Sequence, residues 1–169
     1  MRLIAKYIGF PIQDYVKKTS ILPTLNFLRE SQYWDEDKMN HYRLQKLQRL
    51  VHYAYKHVQY YTELFNNHGI MPDDIRTLDD IEKIPILTKE LARANQQKLV
   101  SDNINVSTVK KGKTGGTTGS PLIIYKDTND RTFAWASYYR WYDWMEIKKE
   151  DKAIILWGDS TVLKSNIKG

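Results

Sequence analysis

The sequence predicts a mixed α/β chain (α+β over the stretch at hand): a helical N-terminal region over residues 1–103, then the beginning of an α/β domain over residues 104–169. Three observations predict it. Leu44, Leu47, Val51, Ala54, Val58, Tyr61 and Phe65 recur at spacings of three and four, which puts them on one face of a long helix. Two short β-type runs, 104–109 and 122–125, flank a glycine- and hydroxyl-rich segment. An aromatic helical stretch then leads into Ala153-Ile154-Ile155-Leu156-Trp157, a continuous apolar run of the kind found in buried parallel strands. Strand, helix and strand in that order suggest an α/β domain.

Each element has a local cause. Asp35 is the candidate N-cap of the long helix and Gly69 its stop, because a short acceptor side chain suits the first position and glycine suits the left-handed turn after the last. Gln59-Tyr60-Tyr61 is where that helix would bend or break. Thr77-Leu78-Asp79-Asp80 opens a second helix with a capping-box-like pattern, closed before Pro85 because the residue ahead of a proline disfavours helix. Thr88 caps a third helix over residues 89–97. The intervening Ile84-Pro85-Ile86-Leu87 is apolar and is expected to pack inside. Thr128 or Asn129 opens the last helix, which runs to about Met145. Its rings, Phe133, Trp135, Tyr138, Tyr139, Trp141, Tyr142 and Trp144, go round too much of the circumference for one stripe, so the helix should be covered on more than one side, as core in preference to the wall of a substrate pocket.

Composition bounds the function. Apolar residues make up 41% of 169 residues, enough for a folded core rather than a disordered chain. The net charge of +6 arises from scattered basic residues, so it suits anionic ligands without pointing to nucleic acid. From Lys110 onward there are 11 Lys/Arg against 7 Asp/Glu, which places +4 in the second region. With no cysteine, disulfides, thiolate metal sites and thiol catalysis are excluded, and a reducing compartment, by default the cytoplasm, is expected. No run approaches the roughly 20 apolar residues of a membrane span. Charge interrupts Met1-Arg2-Leu3-Ile4-Ala5-Lys6 too early for the apolar core of a signal peptide.

The segment Lys113-Thr114-Gly115-Gly116-Thr117-Thr118-Gly119-Ser120-Pro121 is the strongest functional signal. Its glycines leave little side-chain bulk, so the backbone can close around a ligand. Successive backbone N–H groups form an anion-binding concavity, and four hydroxyls add donors. Lys110, Lys111 and Lys113 bring positive charge beside it. The chemistry favoured is binding of a polyanion, most plainly nucleotide phosphates. A flexible hairpin tip has the same composition, but the flanking strands and Pro121 favour a built loop. The Walker loop does not fit: Gly112-Lys113-Thr114 supplies its tail, yet Ser107 stands where the leading glycine belongs, and that loop runs from strand into helix.

Other candidates carry less. His41, His52, His57 and His68 follow the long helix without metal-ligand spacing, so no metal site is expected. Asp73-Asp74 and Asp79-Asp80 read as helix-start charges. Trp157-Gly158-Asp159-Ser160 ends a strand, where α/β ligand sites tend to lie, and Asp159 or Ser160 is a candidate pocket residue beside the plainer reading of a turn. No catalytic residue is assigned.

At these residues the chain resembles a known family. Thr114-Gly115-Gly116-Thr117-Thr118-Gly119-Ser120-Pro121 resembles the phosphate loop of adenylate-forming enzymes, in particular the phenylacetate–coenzyme A ligase-like group and its capsular polysaccharide biosynthesis branch. Glu30-Ser31-Gln32-Tyr33-Trp34, the helix from Leu47 to Tyr61, Tyr60-Tyr61-Thr62-Glu63-Leu64-Phe65 and the stretch from Leu78 to Lys89 resemble the N-terminal region of that branch. Ile154-Ile155-Leu156-Trp157-Gly158 resembles the strand after the loop helix. The resemblance implies an AMP-forming ligase that uses ATP and Mg2+ to activate a carboxylic acid, often handing it to coenzyme A. Lys113, Thr114, Gly115, Gly116, Thr117, Thr118, Gly119 and Ser120 would hold the β- and γ-phosphates. Many members carry lysine after the loop proline. Here the residue is Leu122, and Lys113 or Lys126 would stand in for it. The family's adenine-binding segment, ribose-binding acid, hinge and C-terminal lysine have no counterpart before Gly169. The expectation is therefore the N-terminal part of such a ligase, inactive by itself. The alternative is a truncated, non-catalytic nucleotide-binding or structural fragment.

Overall fold

The computed structural model describes residues 8–113, 122–147 and 151. Among them the chain is mostly helical: α1 is Phe10–Val16, α2 Ile21–Ser31, α3 Glu36–His57, α4 Gln59–His68 and α5 Lys89–Ala94. Strands β1 (Lys110–Lys113) and β2 (Ile123–Lys126) form a two-stranded antiparallel sheet, and α6 (Thr128–Trp144) follows. The class is mixed α and β, as expected. The run 153–157, predicted as a parallel strand, lies outside the described residues, and the sheet among the described residues is antiparallel only. None of the described helices is long and apolar enough to cross a membrane.

Helix α2 is started from the helix before it. Ser20 occupies its N-cap position without making a side-chain bond. The buried Asp14 of α1 accepts from the Leu22 amide at 3.0 Å and from the Thr19 hydroxyl at 2.7 Å. One carboxylate thus takes a donor that a helix start leaves unpaired.

The long predicted helix is two helices. Asp35 caps α3 by accepting from the Lys38 amide at 2.8 Å, with Glu36 and Asp37 in the first turn and Lys56 and His57 in the last, as the helix dipole favours. The break falls at Val58, one residue before the expected cluster, where the backbone is extended at φ −123° and ψ 103°. Tertiary bonds take up the groups this frees. The Asp102 amide donates to the His57 carbonyl at 2.8 Å, and the Tyr60 amide donates to the Lys98 carbonyl at 3.1 Å. The Thr62 hydroxyl bonds the Tyr55 carbonyl at 2.5 Å. Gly69 ends α4 with φ +64°, the left-handed conformation for which glycine carries no Cβ penalty.

The fold of α3 against α4 buries Val51, Phe65 and Ile75 in one cluster, with Leu47, Tyr55, Tyr61, Leu64, Ile70 and Ile84 packed around it. The segment after Thr77 is a 3-10 turn over Asp79–Lys83 rather than an α-helix. Asp80 accepts from both the Arg76 and Thr77 amides, at 2.8 and 2.7 Å, which pins the chain into a turn. Thr88 caps α5 through the Leu91 amide as expected, but α5 ends at Ala94 rather than at residue 97. Ile86 is 85% exposed, so the apolar run 84–87 is not internal: Ile84 alone joins the cluster.

The strand predicted at 104–109 is a turn. Asn105 accepts from the Ser107 amide and hydroxyl at 3.0 and 2.7 Å, and the Thr108 hydroxyl donates to the Asn105 carbonyl at 2.7 Å. Asparagine offers the backbone a local partner that competes with a strand ladder, and here it outweighs the β-branched residues around it. Strand pairing begins at Lys110 instead.

Asp127, one residue before the two expected candidates, caps α6 by accepting from the Asp130 amide at 2.7 Å. Helix α6 packs on α2 through the fully buried Ala136, against Ile21, Leu25 and Leu28. Arg29 grips Asp143 with two bonds of 2.6 and 2.8 Å, and the Trp144 indole donates to Gln32 at 2.9 Å. The expectation that the rings of α6 are core on several sides is overturned. Phe133, Trp141 and Trp144 are half exposed or more. The contact with α2 is made by a small residue that permits close approach, and the large rings flank it.

Candidate phosphate-binding hairpin

The register of the hairpin sets the geometry. Lys113 lies opposite Ile123, Gly112 opposite Ile124, Lys111 opposite Tyr125 and Lys110 opposite Lys126. Directly opposed residues in an antiparallel pair sit roughly 4.5–5.5 Å apart at Cα. The chain therefore leaves β1 at Lys113 and returns at Ile123 a few ångströms away. The segment joining these ends holds Thr114, Gly115, Gly116, Thr117, Thr118, Gly119, Ser120 and Pro121, all outside the described residues. The sequence also placed this segment between two strands, though with the first at 104–109 rather than at β1, and a strand-to-strand setting differs from the strand-to-helix context of a Walker loop. A Cβ on Gly112 would meet the Ile124 carbonyl at 3.7 Å and Lys126 Cε at 3.8 Å, ordinary contacts, so the glycine of that false motif has no steric task.

The two lysines proposed to replace the missing cation at Leu122 are separated. Lys113 stands at the end of β1 next to the loop, exposed and without an ion pair among the described residues. Lys126 sits at the opposite end of the hairpin, three strand residues away, or about 10 Å at the usual rise. Lys113 is the cation that adjoins the loop. Lys111 is held over the Tyr125 ring, its Nζ 5.9 Å from the centroid.

The hairpin is held to the helical region on one side. Tyr53, Val58, Leu99, Ile123 and Tyr125 line a cleft of about 350 Å³ between them, and the Gln96 amide donates to the Ile123 carbonyl at 3.4 Å. The chain leading to β1 is tied down in turn. His57 Nδ1 lies 2.9 Å from Asp102 Oδ1, the Tyr53 hydroxyl donates to Asn103 at 2.6 Å, and Lys98 pairs with Glu63 at 2.6 Å. The Lys98 ammonium, followed by the Gln59 amide, holds the Glu63 carboxyl below the usual range.

The remaining candidates are accounted for by packing. His41 meets Gln45, His52 meets Asp73, His57 meets Asp102 and His68 meets the Leu64 carbonyl. His68 lies on α4, not on the helix of the other three. No three His, Asp or Glu side chains converge among the described residues. Asp74 accepts from the Met71 amide, and Asp80 closes its own turn, so these acids start turns as expected. Asp159 and Ser160 lie outside the described residues. One basic residue escaped notice in the sequence, Arg131 in the first turn of α6, and strand pairing brings Lys126 opposite Lys110 rather than beside the loop. An arginine at the helix end that repels cations was the available signal.

No protein-family model matches the chain. Among curated proteins it is 32% identical over 97 residues to the phenylacetate–coenzyme A ligase of Escherichia coli K12, covering 56% of this chain and 22% of that protein. It is 28% identical over 89 residues to the phenylacetate–coenzyme A ligase of Aromatoleum evansii and 29% over 94 residues to that of Pseudomonas putida. These matches cover 20% and 21% of the two relatives. The chain is thus a distant, partial homologue of enzymes named phenylacetate–coenzyme A ligase, aligned over about a fifth of their length.

Proposed function

We propose that this chain is the front portion of an AMP-forming acid ligase and that its hairpin loop holds the β- and γ-phosphates of ATP. The observation that supports the reading is the hairpin register: Lys113 faces Ile123 across the ladder, so the two ends of the glycine- and hydroxyl-rich segment lie close together, beside a lysine that forms no ion pair among the described residues. The partial homology to acid–coenzyme A ligases supports the same reading. In the reaction, a substrate carboxylate would attack the α-phosphate of ATP and pyrophosphate would leave, giving an acyl-adenylate, from which the coenzyme A thiol would take the acyl group as AMP departs. Lys113, the hydroxyls of Thr114, Thr117, Thr118 and Ser120, and the backbone from Gly115 to Gly119 would bind the leaving pyrophosphate. Donors placed where charge develops lower a barrier most. Mg2+, arriving with the nucleotide, would supply positive charge to the departing pyrophosphate, and the loop hydroxyls and Lys113 would hold that complex. The resemblance of residues 30–34 and 78–89 favours a ligase of capsular polysaccharide biosynthesis and a cytoplasmic setting.

The test is a chimaera in which residues 110–126 of this chain replace the matching hairpin of the Escherichia coli relative. Retained exchange of labelled pyrophosphate into ATP with phenylacetate supports the loop assignment. Gly116→Val and Thr117→Ala in that chimaera should each lower exchange, by up to about 3 kcal/mol of barrier. Full exchange in both variants would overturn the assignment. Exchange by this chain alone would overturn its being inactive by itself.

A further inference from the structure

We infer a second anion site, on the opposite end of the hairpin from the loop, in the groove between the hairpin base and the start of α6. The groove has a volume of about 480 Å³ and is lined by Lys110, Lys126, Arg131, Thr108 and Asn129, together with Asp127. That volume lies within the range of small-molecule sites. Three features of its charges point to a ligand. Lys110 and Lys126 are directly opposed across the strands, and like charges in that position destabilise a sheet. Arg131 sits in the first turn of α6, the end of a helix that disfavours a cation. None of the three forms an ion pair or side-chain hydrogen bond among the described residues. Two carboxylates lie near these cations: Asp127, which is engaged in capping α6, and Asp130, which lines the adjoining part of the groove with the same three cations but forms no ion pair with them among the described residues. Three cations held together against local preference are the mark of a site whose stability cost is offset by a bound anion.

Lysines on a sheet edge also prevent strands of different molecules from pairing. That role accounts for Lys110 and Lys126 but not for Arg131, which is on a helix. The Thr108 hydroxyl already donates to the Asn105 carbonyl, and the chemistry of two ammonium groups, one guanidinium fork and the Asn129 amide suits a phosphate ester or diphosphate, to which arginine bonds with two parallel donors. The inference concerns the same hairpin as the proposed function but does not depend on adenylation.

The experiment is a thermal and calorimetric titration of the whole chain with inorganic phosphate, inorganic pyrophosphate, ATP and coenzyme A, each without metal. Wild-type protein should bind pyrophosphate and show a rise in thermal midpoint, because a ligand of the native state stabilises it. Lys126→Gln and Arg131→Gln should each raise the midpoint of the free protein, by removing repulsion. Each should weaken binding by about tenfold, as expected for loss of one charge-assisted contact. Gly116→Val should leave this binding intact, whereas it should weaken binding at the loop. Coenzyme A binding more tightly than pyrophosphate would identify its phosphates as the natural source, and the reverse order would identify a free diphosphate. The site is overturned if wild-type protein binds none of the four anions, if the two glutamine variants bind as wild type does, or if Gly116→Val alone removes binding.

Discussion

The two buried clusters of this chain are assembled in opposite ways. Val51, Phe65 and Ile75 come from one stretch of chain, folded back at Val58 and stopped at Gly69. Ile21, Leu25 and Leu28 instead meet Ala136, contributed by a helix more than a hundred residues further on. The first cluster is built from large side chains, with Phe65 and Ile75 each only 1% exposed. The second is centred on the Ala136 methyl, with Phe27 and Tyr139 packed against it, while Phe133, Trp141 and Trp144 of α6 remain half exposed or more. Local burial of big residues supports itself. A distant contact through a small residue leans on polar ties, here Arg29 with Asp143 and Trp144 with Gln32.

The contrast can be broken most severely at Phe65. Phe65→Ala should cost about 3–5 kcal/mol, the usual range for a buried phenylalanine, and should unfold α3 and α4 together. Urea titration followed by far-ultraviolet circular dichroism measures it. A loss below about 1 kcal/mol would show that the first cluster is no more self-supporting than the second.

Ala136 sharpens the comparison from the other side. Ala136→Leu forces a larger side chain into a seam with no room for it and should cost about 1–3 kcal/mol. Amide hydrogen exchange should quicken in α2 and α6 while α3 and α4 keep their protection. Equal quickening in all four helices would mean that the clusters open as one unit.

The same contrast explains what the sequence disclosed. Asp35 and Gly69 were legible as the bounds of the first helical region because caps act within one turn of their own position. The hairpin strand at Ile123 and the extent of α6 were legible for the same reason. The break was legible to within one residue, at Gln59-Tyr60-Tyr61 against the observed Val58, but not the bonds from residues 98–102 that take up the freed backbone groups, because no local pattern records a partner forty residues away. The strand expected at 104–109 failed because the side chain of Asn105 captured Ser107. The exposure of the α6 rings failed because ring content says how much apolar surface a helix has, not which side meets a neighbour. At the site, Lys113 was legible from its place beside the loop, whereas the grouping of Lys110, Lys126 and Arg131 required the strand register.

The smallest effect expected is a pH dependence confined to the helical region. The ammonium of Lys83, 2.8 Å from Asp80, and then the Arg76 and Thr77 amides hold the Asp80 carboxyl far below the usual range. An acid whose folded pKa lies below its unfolded one binds fewer protons in the native state. Its contribution is therefore complete above the unfolded value, about 4, and is lost as the pH falls below it. Glu63, lowered by Lys98, has the same sign. The urea midpoint should thus fall between about pH 5 and pH 2, the span over which such carboxylates take up protons. Asp80→Asn keeps an oxygen acceptor for the two amides but has no charge to lose, so its midpoint should start lower at pH 7 and decline less steeply. A variant that tracks wild type in parallel over the whole acid range would show that the Asp80 turn contributes nothing through its charge. The acid sensitivity of the first cluster would then have to come from Glu63 and its bond to the segment leading into the hairpin.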